Sequence, residues 1–149
     1  MSMLASVRPD SWNFPLFVHV FGAMVLVGAV SVGVTAQLVA GRSEDPDRLR
    51  RLALRTLLFV GVPAFFAMRL GAEWIHSKEF GSSSKDPDWV GLGYITSDGG
   101  GVLLLVSLVL SGIASWRGKP ALATAGSIVL AVVLAAWLVT VWAMGAKPD

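Results

Sequence analysis

The chain has 149 residues, 54% of them hydrophobic and only 15% charged, with a net charge of +2 and a mean hydropathy of +0.67. A soluble domain usually carries about a quarter charged residues. Here the few charges collect in gaps between long apolar windows, which excludes an ordinary soluble core and predicts a polytopic membrane protein. The small net charge implies no nucleic-acid partner. The absence of cysteine excludes disulfides, thiolate metal sites and cysteine nucleophiles.

At ~1.5 Å of rise per residue, about 20 residues cross the ~30 Å hydrocarbon layer. Four windows meet or approach that length, at 14–40, 52–76, 99–116 and 120–144. Backbone polar groups must be satisfied inside lipid, so runs this long span only as helices. The expectation is an all-α, integral membrane, antiparallel bundle of four transmembrane helices, forming one domain over 1–149. The first window is about twice as long as a signal-peptide core and lacks a small-residue cleavage site at its polar end. It therefore reads as a retained span.

In chain order, the first window holds His19 and Gln37 but no charge. Steps of three and four from His19 collect Gly22, Leu26, Ala29, Gly33 and Gln37. That stripe is predicted to face the bundle, because small residues permit close helix approach and polar ones avoid lipid. Phe17, Phe21, Met24 and Val32 fall on the opposite side, together with Gly28 and Thr35.

The connection that follows carries Arg42, Arg48, Arg50, Arg51 and Arg55, and the short third connection carries Arg117 and Lys119. Short basic loops stay cytoplasmic, so both termini and the 77–98 loop are expected to be extracytoplasmic. Trp12, Trp74, Trp89 and Trp142 map near that outer boundary, Trp116 near the inner one, and Trp137 deeper. Asp45-Pro46 predicts a capped helix start. Pro63 should kink the second span in mid-membrane. Ser97-Asp98 is expected to cap the third helix and Pro120 to open the fourth. In the outer loop, the GSSS half is expected to be flexible and the DPDWVGLGYI half to lie on the bundle.

The second window ends in polar residues. Arg69, Glu73 and His76 fall at i, i+4 and i+7, hence on one helical edge. Arg69 can snorkel or pair with Glu73. Antiparallel packing brings His76 toward the level of His19. Two histidines beside a carboxylate and a guanidinium suggest a haem site, with His19 and His76 as iron ligands and Arg69 against a propionate. Glu73-x-x-His76 also has the spacing of a carboxylate–histidine metal pair, so His19, Glu73 and His76 form a candidate metal set. The bland alternatives are a hydrogen-bonded core histidine and an interfacial cluster that ends the helix.

In the third window Ser107, Ser111 and Ser115 recur one turn apart, as helix-packing serines do. No carboxylate sits at mid-span, which argues against a proton-coupled exporter.

LFVHVFGAMVLVGAV, with His19, Gly22 and Gly28, resembles the first helix of small bacterial four-helix membrane proteins. That group includes the copper-resistance D-like proteins and the four-helix haem-binding protoporphyrinogen oxidase. MRLGAEWIHSKE and DPDWVGLGYITSDGG resemble actinobacterial members with no assigned activity. The resemblance implies a four-span protein of the bacterial cytoplasmic membrane, with a haem or metal role for the first-helix histidine. The leading expectation is thus a membrane protein that binds haem b or another redox or metal cofactor through His19. One alternative is a non-catalytic subunit or scaffold, packed in a homo-oligomer or a larger membrane complex. A small transporter or metal-handling protein is the other. Whether the chain is an enzyme stays open at this point.

Overall fold

The computed structural model describes residues 10–79 and 88–146. They form five α-helices: α1 (Asn13–Ala40), α2 (Pro46–Thr56), α3 (Val62–Glu79), α4 (Asp88–Arg117) and α5 (Pro120–Ala146). A single 3-10 turn, Asp10–Trp12, leads into α1, and a π-helical turn, Leu57–Gly61, joins α2 to α3. The path from Pro46 to Lys78 is therefore one long rod. Four rods result, and each is long and apolar enough to cross a membrane. The GSSS stretch lies outside the described residues.

The helix ends follow local chemistry. Asp45 accepts a hydrogen bond from the Arg48 N–H at 3.0 Å, and Pro46 occupies the first turn of α2. Pro63 cannot donate to the carbonyl four residues back. The π turn lies just ahead of it, with the Val62 N–H reaching the Leu57 carbonyl, so the backbone widens where proline breaks the ladder. Between α4 and α5 the chain reverses at Gly118, whose φ of 61° is the left-handed conformation that favours glycine. Gly118→Ala should cost about 1 kcal/mol, read as a drop of a few degrees in melting temperature.

Close backbone packing runs between α1 and α3, α4 and α5, α1 and α2, α1 and α5, and α2 and α4. The predicted inward face of α1 is the one observed: Gly22, Leu26, Ala29 and Gly33 are buried, and Phe17, Phe21, Met24 and Val32 are exposed. Leu26, Val30, Leu57, Leu104, Leu130 and Val133 meet in the centre. Toward the Gly118 end, a polar triad ties three helices. Gln37 Nε2 donates to Ser111 Oγ at 3.3 Å, and Ser127 Oγ donates to Gln37 Oε1 at 2.5 Å. Ser107 Oγ donates to the Gly126 carbonyl at 2.9 Å. Two of the three predicted packing serines thus cement α4 to its neighbours, whereas Ser115 is exposed.

One boundary differs from expectation. The segment read as an outer loop up to residue 98 is helical from Asp88, so Ser97 and Asp98 lie inside α4 instead of capping it. Gly91, Gly93 and Gly99–Gly101 disfavour a helix locally by roughly 1 kcal/mol each. Tertiary packing overrides that bias, because two of these glycines receive aromatic side chains. A Cβ on Gly100 would overlap the Trp137 indole, and one on Gly101 would overlap the Phe65 ring.

A candidate ligand cavity between the four helices

The N-terminal half of α1 crosses α3 at very short range. A Cβ on Gly22 would lie 2.5 Å from the Met68 backbone nitrogen, and one on Gly71 would lie 2.6 Å from the His19 backbone nitrogen. No side chain larger than hydrogen fits at either point. This crossing sets His19 against the α3 backbone, where Nδ1 stands 2.9 Å from the Met68 carbonyl oxygen. A carbonyl only accepts, so Nδ1 carries a proton, and in the neutral imidazole Nε2 keeps its lone pair.

His19 borders a cavity of ≈ 280 Å³ lined by residues from all four rods, among them Ala72, His76, Tyr94, Ser97, Trp137 and Thr140. It occupies the end of the bundle opposite the arginine-rich 42–55 segment and the basic 117–119 turn. Its walls are mainly apolar. Trp137 is buried, and its Nε1 donates to the Thr96 carbonyl at 3.2 Å, fixing the indole as one wall. The Phe65 ring stacks on it at 6.4 Å between centroids.

On this side α3 and α4 are bridged by long side chains. Arg69 Nε donates to Asp98 Oδ1 at 2.8 Å and Nη2 to Asp98 Oδ2 at 3.5 Å, while Nη1 pairs with Glu73 Oε1. The guanidinium also lies over the Tyr94 ring, 4.6 Å from its centroid. His76 meets the same ring edge-on at 5.6 Å. One guanidinium thus faces two carboxylates, which leaves the cluster with an excess of negative charge.

His19, Arg69 and His76 do share one cavity wall, and Glu73 reaches it through Arg69. The pairing of Arg69 with Glu73 follows the predicted i, i+4 step. Asp98 and Tyr94 were not legible, because their partner lies well upstream on another helix. The proposed metal set does not assemble: among the described residues no three His, Cys, Asp or Glu side chains are grouped to hold an ion. Arg69 is also not placed to receive a propionate. Its in-plane donors serve Asp98 and Glu73, and its face is against Tyr94. A haem edge would meet two carboxylates with no uncommitted cation among these residues. His19 alone suits an axial ligand, since metal-binding histidines commonly donate their other N–H to a backbone carbonyl. The set as a whole does not fit haem b.

Searches against protein-family models, curated proteins and solved structures return no match for this chain. The functional reading therefore rests on the cavity itself.

Proposed function

We propose that the chain is a multi-pass membrane protein that holds a small, uncharged hydrophobic molecule between its helices, with His19 as the polar contact. One observation carries this: a histidine tied through Nδ1 to a backbone carbonyl, on the wall of a mainly apolar cavity lined by all four rods. Residence in a bilayer is supported by the apolar side chains that each rod turns outward. Met24, Phe59, Ile95 and Val139 are 70%, 71%, 74% and 61% exposed. Lipid satisfies such a surface where water does not.

The arginine-rich 42–55 segment and the basic 117–119 turn lie at the end away from the cavity, and the positive-inside rule supports a cavity in the extracytoplasmic leaflet. Because the chain contains no cysteine, single cysteines report topology cleanly. A membrane-impermeant maleimide applied to intact cells should label Ser77→Cys and spare Ser43→Cys. The reverse pattern overturns the orientation.

Binding is tested in lipid nanodiscs with propylbenzene as a neutral probe. It should raise the melting temperature of the wild type, since a ligand that binds only the native state stabilises it by mass action. Ala72→Trp, which fills the cavity, should fold and lose the response. Equal responses would mean that the probe acts through the lipid. The purified protein should also be colourless. A Soret band abolished by His19→Ala would overturn the uncharged-ligand assignment in favour of haem.

A further inference from the structure

The cavity wall contains a second polar group, on α4. Ser97 Oγ is buried and, among the described residues, is the only buried side-chain nitrogen or oxygen with no hydrogen-bond partner. That is unusual for a serine in a helix, which ordinarily returns its hydroxyl to the carbonyl of the preceding turn. For Ser97 that carbonyl belongs to Gly93. The neighbouring Thr96 shares its single hydroxyl proton between the Leu92 carbonyl at 2.8 Å and the Gly93 carbonyl at 3.2 Å. With the helix N–H also directed at Gly93, that carbonyl is crowded, and Ser97, which is among the cavity's lining residues, is left without a partner. Buried hydroxyls without a partner are costly and rare, and an occupant is one way to satisfy them. Another cavity hydroxyl shows the contrast: Thr140 Oγ1 is satisfied by the Ala136 carbonyl at 2.9 Å.

Resting on the ligand-binding reading above, we infer that the occupant is a hydrophobic phenol or hydroquinone: a compact apolar body whose hydroxyl is received by His19 Nε2 and Ser97. The chemistry of the two groups selects this class. With Nδ1–H on the Met68 carbonyl, the Nε2 of a neutral His19 is an acceptor, so the matching ligand brings a donor. Ser97 both donates and accepts, so it can complete the bonding of the same oxygen or engage a second one across the ring. An aromatic body suits a wall made of Trp137 and Tyr94. Arg69, the guanidinium on the wall, is already paired with Glu73 and Asp98, so a carboxylate or phosphate of the same shape would lose its hydration for little compensating attraction. A simple hydrocarbon fills the space and leaves both polar groups unsatisfied.

The experiment compares para-propylphenol with its methyl ether and with para-propylbenzoate, in nanodiscs, against Ala72→Trp as the background. The phenol should bind the wild type about tenfold more tightly than the ether, and the benzoate should bind least. Ser97→Ala removes an unpartnered hydroxyl, so the empty protein should melt at the same or a higher temperature while its preference for the phenol falls several-fold. His19→Ala should abolish the preference. If that variant fails to fold, the Ser97 result decides alone. Equal binding of phenol and ether to the wild type, or benzoate binding as tight as phenol, overturns the hydroxyl assignment and leaves the cavity reading in place. No response above background from any of the four probes, propylbenzene included, removes both.

Discussion

Gly71→Leu is expected to lower the melting temperature by roughly 10 °C, or to prevent folding, and to abolish binding of neutral probes. The side chain would begin 2.6 Å from the His19 backbone nitrogen and 2.8 Å from its Cα. Those are backbone atoms of a long helix and cannot rotate away as a side-chain tip can. Overpacking against movable groups costs about 1–3 kcal/mol; against backbone the upper end or beyond applies, and each kcal/mol is worth about 2–4 °C in a chain of this size. The opposing term is helix propensity, which favours replacing a mid-helix glycine by about 1 kcal/mol. Sterics therefore wins at Gly71, and by the same reasoning at Gly22. At Gly28 a Cβ would meet nothing within 4 Å, so Gly28→Leu should be neutral or slightly stabilising. Comparing Gly22→Leu with Gly28→Leu isolates close approach from any general intolerance of leucine in α1. Probe binding falls with stability at Gly71 because parting α1 from α3 also breaks the His19–Met68 hydrogen bond, freeing the imidazole to change tautomer. If Gly71→Leu and Gly28→Leu melt alike, the backbones at Gly71 are not so close that a Cβ there must overlap His19.

The contrast between those glycines shows what was legible before any coordinates. Four long apolar windows can be satisfied in lipid only as helices, so their number followed from composition. The inward face of α1 followed because small and polar side chains recur at helical spacing through Gly22, Ala29, Gly33 and Gln37. Arg69 with Glu73 was legible for the same reason, both ends lying on one helix. The site's other half was not. Asp98 and Ser97 look locally like a helix cap, and only the position of α3 shows that Asp98 answers Arg69 across 29 residues of sequence. The glycine run at 99–101 stands at the predicted start of the third span, where it lowers helix propensity; its use as a pair of slots appears only once Phe65 and Trp137 are in place. Ser97 is the extreme case. Its lack of a partner depends on Thr96 crowding the Gly93 carbonyl, and no spacing rule registers that competition.

Those slots give the second large effect. Gly100→Val should destabilise the bundle by about 2–3 kcal/mol, net of the propensity gained, and should shift the tryptophan emission to longer wavelength. The Trp137 indole occupies the space that a Cβ on Gly100 would claim, and its N–H is bonded to the Thr96 carbonyl. Eviction breaks that bond, parts the ring from Phe65 and removes one wall of the cavity, so discrimination between phenol and ether should decline as well. Trp137→Leu alone should also cost stability, because it empties the slot. Joined in one chain, the two changes should cost less than their sum, by roughly 1–2 kcal/mol, since the added valine methyls replace part of the indole they exclude. A strictly additive double variant would mean that Gly100 and Trp137 act separately, and that the indole is not held by the glycine beneath it. Coupling together with a lowered preference for the phenol would tie the packing of α4 against α5 to what the cavity accepts. The same slot that seats the indole sets the carbonyl beside Ser97, and so the position from which that hydroxyl meets a ligand.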